Sequence, residues 1–180
     1  LRSGNIERII SALASLPNDS TIDAARRHFL IGAFLEVDGQ VKKALGEFEK
    51  AVVLDPYNIR YSTAALNLAT NTGQFDTAIA LAEAQRRAFS RQQTDPRDVA
   101  TVIGFEALAR WFKGDRVAAN RLFDEALRAT ADRTTLARLL NDRVPLFNDI
   151  GDVGGAEATL TQAILLYICA DSANLIERAN

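Results

Sequence analysis

The chain has 180 residues, 48% of them hydrophobic, which is enough to bury a sizeable core; length predicts a single domain, and composition excludes disordered and fibrous classes. Its 21 basic and 23 acidic residues are spread over both halves, so the basic face of a nucleic-acid binder is not expected. One Cys and one His exclude an internal disulfide framework and a zinc site built from those residues, and no cofactor or metal is expected.

No run approaches the roughly 18 apolar residues needed to cross a bilayer, and no charged start leads into an apolar stretch, so direct membrane insertion is not expected. The chain begins without Met and contains none, which reads as a piece of a longer protein. Neither bacterial cytoplasm nor periplasm is favoured. The 17 Arg against 4 Lys, with abundant Ala, suggest a GC-rich bacterial source.

Residues 5–16 place Ile6, Ile9, Ile10, Leu13 and Leu16 at helical spacing before Pro17 breaks the pattern. This predicts one amphipathic helix, either a cap or the second half of a truncated repeat. Ser20 or Thr21 can cap the next helix, expected to run to Val37, and a second follows over 40–54. Between them Gly39 marks a turn. Gly32 and Ala44 are small where two antiparallel helices must touch, and Pro56 ends the pair.

The pattern then recurs. Gly73 and Ala78 each lie 34 residues after Gly39 and Ala44, predicting helices over 57–71 and 74–89, with Gln85 standing where a small residue belongs. The polar 90–98 segment stretches the next interval, with Asp95 as cap and Pro96 as the first helical residue, where its missing N–H costs nothing. Gly114, Ala119, Phe123 and Ala126 give a third unit over 95–130. In its first helix, strict phasing puts Glu106 and Arg110 where apolar residues belong, whereas a one-residue slip brings Ala107, Leu108 and Trp111 into register. Gly151, Ala156, Leu160 and Ala163 give a fourth unit over 132–169, with Pro145 expected to kink its first helix. A separate short helix is expected over 171–179. The run from Ile164 to Cys169 is apolar all round, so that helix folding back on it, or a second molecule, is expected to cover it.

Residues 25–56 resemble the tetratricopeptide repeat, a 34-residue helix-turn-helix. With Ala25 at motif position 1, Gly32, Leu35, Ala44, Phe48, Ala51 and Pro56 fall on positions 8, 11, 20, 24, 27 and 32, while His28 replaces the favoured Trp. The resemblance implies an all-α, right-handed solenoid of antiparallel helix pairs, in units 21–55, 57–90, 95–130 and 132–169, whose first helices line a concave groove. It implies a protein or peptide ligand on motif positions 2, 5, 9, 12 and 13. Those positions hold Arg26, Phe29, Ala33, Glu36 and Val37, then Arg60, Thr63, Asn67, Thr70 and Asn71, and in the fourth unit Arg138, Asn141 and Asn148. Arginine suits carboxylates and asparagine can pair with an extended backbone, so an acidic or C-terminal segment is the expected ligand. The competing reading is a merely solvated face. The pattern of a chaperone-tail receptor is not matched, because Phe29 and Ala33 replace its Lys and Asn.

No phosphate loop, nucleophile elbow, HExxH or CxxC occurs, and no enzyme is expected. His28 and Cys169 read as core residues. Trp111 points either into the helix pair or into the groove, where it would anchor a ligand. Beside the adaptor reading stand two others. One is an assembly scaffold, such as a homodimer or a part of a bacterial surface or export machine, and the other is the regulatory arm of a larger enzyme.

Overall fold

The computed structural model describes residues 3–17 and 20–179, and side chains for 4–17 and 20–169. All described elements are α-helices: α1 (Ser3–Ser15), α2 (Thr21–Val37), α3 (Val41–Leu54), α4 (Ile59–Asn71), α5 (Phe75–Phe89), α6 (Pro96–Phe112), α7 (Arg116–Ala129), α8 (Arg133–Asp149) and α9 (Val153–Ala179). The chain divides into two compact units, Leu1–Gln92 and Gln93–Asn180. The division falls inside the polar 90–98 segment.

Side chains cap the starts of α2, α4, α6, α7 and α8, whereas α3 and α5 begin without a side-chain cap. Ser20 Oγ accepts from the Asp23 N–H at 3.1 Å, and Asp95 accepts from the Arg97 N–H at 2.9 Å with Pro96 just inside the helix. Asp115 and Asp132 accept from the Ala118 and Thr135 N–H groups at 3.1 and 2.8 Å, and the Thr135 hydrogen bonds hold the Asp132 carboxyl below its ordinary value. The helix pairs close through four like turns. Gly39, Gly73, Gly114 and Gly151 have φ of 77°, 75°, 94° and 74°, the left-handed region where a side chain is strained. The residue after each glycine donates its N–H back into the preceding helix, from Gln40 to Leu35, Gln74 to Ala69, Asp115 to Arg110 and Asp152 to Phe147, at 2.8–2.9 Å.

In the N-terminal unit α2 packs on α3, α3 on α4 and α4 on α5, with α1 against α2. The α2–α3 approach is close because Gly32 lacks a side chain: a Cβ there would lie 2.7 Å from the Phe48 ring and 3.1 Å from the Ala44 carbonyl. Ala44 and Phe48 are fully or almost fully buried, at 0% and 1% exposure. Gln85 is buried, and its amide donates to the Pro56 carbonyl, so a polar side chain serves where a small residue was expected.

The C-terminal unit repeats the plan, with α6 on α7, α7 on α8 and α8 on α9. Ala107, Ala119 and Phe123 form one buried cluster, matching Gly32, Ala44 and Phe48 at the same spacing from the turn glycine. Strict phasing therefore holds and the one-residue slip does not occur. Glu106 and Arg110 occupy the apolar register as an ion pair, Nε to Oε1 at 3.0 Å, with the Glu106 side chain 3% exposed. The N–H groups of guanidinium and the carboxylate oxygens satisfy one another where an aliphatic pair would otherwise pack.

Two further expectations fail here. No break occurs near residue 170: α9 runs unbroken through 171–179, because no Gly or Pro occurs from Ala156 to Ala179, so that segment does not fold back. Cys169 is consequently exposed rather than a buried hydrophobe, along with Ile164 and Leu165 at 49% and 58% exposure. The α8 helix continues through Pro145, which leaves the Asn141 carbonyl without its helical partner.

Candidate functional site

Arg26, Arg60, Thr101 and Arg138 each stand thirteen residues before a turn glycine, so one register position begins the exposed face of every first helix. In the N-terminal unit, Arg26 on α2 and Arg60 on α4 are exposed, and neither makes an ion pair among the described residues. The Arg60 guanidinium lies over the Phe29 ring, 5.2 Å from its centroid. That ring also meets Tyr61 and Phe48 at 5.1 and 5.6 Å. Phe29 is thus half core and half platform: it packs against Ala25, Ala51 and Tyr61 while supporting a cation on its outer side. Thr63 spends its hydroxyl on the Ile59 carbonyl at 2.9 Å, so it offers a ligand an acceptor lone pair rather than a free donor. Asn71 donates to Asn67 at 2.8 Å, and both are exposed. Thr70, by contrast, is buried and bonded to the Leu66 carbonyl, so it drops out of the face.

The C-terminal unit has the same platform in a more neutralised form. Arg138 lies 5.8 Å from the Phe105 centroid, donates to Asp142 at 3.1 Å and reaches Thr101 of α6 at 3.2 Å. Burial raises the Asp142 carboxyl above its ordinary value, against the pull of Arg138 and a hydrogen bond from Asn141. Asn141 and Asn148 are exposed. Phe105 and Thr101 were not singled out from the sequence, although Thr101 shares the register of the three arginines.

Trp111 packs against the Ala107, Ala119, Phe123 and Leu146 cluster, and its indole N–H donates to Asp149 at 2.8 Å. It fastens α6 to the end of α8, so packing is its observed role. His28 departs from the core expectation: it is half-buried, and Nδ1 meets the Glu47 carboxylate at 2.6 Å. Burial pushes Glu47 up, but the hydrogen bonds from Lys50 and His28 together hold its carboxyl below the ordinary value. The contact ties α2 to α3 at the position where the tetratricopeptide repeat favours Trp. Among the described residues no cluster of His, Cys, Asp and Glu could hold a metal, and no helix is long and apolar enough to cross a membrane.

Four like turns, each joining a first helix to a second across an all-α stack, define a tetratricopeptide-type helical repeat, and that is the fold of this chain. It is shared with BtubC from P. vanneervenii, at a TM-score of 0.69 and 14% identity over 93% of this chain and 72% of that one. MamA 41-end from Desulfovibrio magneticus RS-1 superposes at 0.66, with 16% identity over 94% and 90%. A Podosopora anserina putative kinesin light chain with nearly identical TPR-like repeats also reaches 0.66, with 13% identity over 92% and 85%. No family model and no curated protein sequence matches the chain.

Proposed function

We propose that the chain is a non-catalytic protein-interaction scaffold whose N-terminal unit binds a peptide, or a segment of another protein, along the face made by Arg26, Phe29, Arg60, Thr63, Asn67 and Asn71. The observation that carries this reading is the pair of exposed arginines at one register position of α2 and α4, neither of them neutralised, with Arg60 steadied on Phe29 and an amide pair further along α4. Guanidinium forks favour carboxylates, and the amides suit an extended backbone, so acidic or C-terminal segments are the preferred ligands. The corresponding arginine of the C-terminal unit, Arg138, is less available to a ligand of that unit, because Asp142 and Thr101 already engage it. The combined variant Arg26→Ala, Arg60→Ala, Asn67→Ala should lose acidic ligands from a peptide array by at least about tenfold, the loss of one or two charge-assisted contacts, with circular dichroism unchanged. A variant that keeps its ligands contradicts the reading.

A second reading, self-association, is favoured by one observation. On α9, Leu160, Ile164, Leu165 and Tyr167 are 41–58% exposed, an apolar surface of the kind that marks contact sites. It predicts a parent mass that rises with concentration in light scattering and an Ile164→Glu, Leu165→Glu variant that stays monomeric. A parent that is monomeric throughout removes it.

A further inference from the structure

The C-terminal unit holds a cavity of about 330 Å³ between α7 and the last turns of α8, on a different side of α8 from the face described above. Asn141 and Arg143 are two residues apart, and at about 100° per residue they project on nearly opposite sides of the helix. Leu146 and Phe147 form the apolar floor, and Val117 and Ile150, 73% and 68% exposed, form an apolar rim.

The register shows what is unusual here. Arg143 and Phe147 stand eight and four residues before Gly151, as Ile31 and Leu35 stand before Gly39. In the N-terminal unit those two aliphatic residues lie in a cavity whose walls carry both signs of charge, Lys43 and Lys50 with Glu7 and Glu47. The α7–α8 cavity has no carboxylate in its lining, and three guanidiniums instead.

Arg143 is fixed in place. Its guanidinium lies 5.3 Å from the Phe147 centroid, donates to Asp124 at 2.8 Å and to Asn120, and has a side chain only 14% exposed, with an enclosed Nε that makes no hydrogen bond. An aliphatic residue, as at Ile31, would avoid the desolvation cost of that charge. Arg116 is exposed and reaches Asp149 at 3.3 Å, a surface pair weak enough to exchange for a better carboxylate. Arg121 is exposed and makes no ion pair among the described residues.

We propose that this cavity is a second docking site, taking an acidic segment of a protein partner that sets one apolar side chain on Leu146 and Phe147 while its neighbouring carboxylates face Arg121 and Arg116. The volume, at the low end for ligand sites, suits a side chain rather than a drug-sized molecule. With Asp124 holding Arg143 and Asp149 holding Arg116, Arg121 is the guanidinium left over, and its charge selects the sign of the partner.

The full chain is titrated with a fluorescent synthetic peptide carrying one leucine between two aspartates, with a lysine-flanked peptide and a leucine-to-glutamine peptide beside it. Arg121→Glu and, separately, Val117→Ser change exposed side chains and should leave the fold intact. Each should weaken the aspartate–leucine peptide, Arg121→Glu by about tenfold or more for the lost and reversed charge, while Arg26→Ala with Arg60→Ala leaves its backbone-amide NMR shifts at Val117, Phe147 and Ile150 unchanged. Absence of binding, equal binding of the glutamine peptide, or a loss caused by the Arg26/Arg60 variant instead overturns the proposal. Failure of the first-helix face alone leaves these α7–α8 shifts in place, so the two sites are told apart.

Discussion

Arg110→Ala should lower the melting temperature of the chain by on the order of 10 °C, because it removes the guanidinium that pairs with the buried Glu106 carboxylate at 3.0 Å. Breaking a buried pair costs about 3–5 kcal/mol, and Arg110 keeps 26% of its side chain exposed, so a value near 3 kcal/mol is expected. The decisive companion is the double variant Glu106→Ile, Arg110→Leu, which installs the residues that the N-terminal unit carries eight and four positions before its turn glycine. Replacing an ion pair by well-packed aliphatic residues is often neutral or stabilising, so the double variant should melt at or above the parent. If the single variant melts with the parent, or if the double variant is the less stable of the two, the register assigned to α6 is wrong.

Ala44→Leu and Ala119→Leu should each destabilise by about 1–3 kcal/mol and shift melting by several degrees. Both alanines are 0% exposed and lie at the closest approach of a first helix to a second, beside Phe48 and Phe123. In the N-terminal unit the partner position is Gly32, where even a Cβ has no room against the Phe48 ring. The added methyl groups must therefore push α2 from α3, or α6 from α7, or force a strained rotamer. Melts of both variants within about 2 °C of the parent would contradict this packing, since the expected loss is larger than that for a chain this size.

The fold was legible in the sequence because its repeat depends on a few residues with no substitutes. A left-handed turn needs glycine, so Gly39, Gly73, Gly114 and Gly151 could be read directly, and with them the helix boundaries on either side. Capping side chains gave the starts at Ser20 and Asp95 in the same way. What misled was chemistry at positions where two solutions fill one space. Glu106 and Arg110 suggested a slipped register because an ion pair satisfies a slot that periodicity assigns to aliphatic residues. Gln85 looked misplaced because its reach to the Pro56 carbonyl spans turns that no local pattern connects. The end of α9 was misjudged because the change from the apolar 164–169 run to a more polar sequence reads as a boundary but can also simply continue one helix.

The candidate face was less legible than the fold. The shared register of Arg26, Arg60 and Arg138 was visible, and so was Asp142 one helical turn from Arg138, but Phe29 beneath Arg60 and Thr101 beside Arg138 were not read as their neighbours. Those two contacts are tertiary, since they depend on which side chain of the neighbouring first helix lies within reach.

The most direct measurement is a backbone-amide NMR titration of the full chain with an acidic C-terminal peptide. The account predicts the largest shifts on α2 and α4, around Arg26, Phe29, Arg60 and Asn67, with binding that weakens as salt rises because its charges are exposed. Shifts confined to the second helices α3 and α5, or a peptide that produces none at any salt concentration, would contradict it.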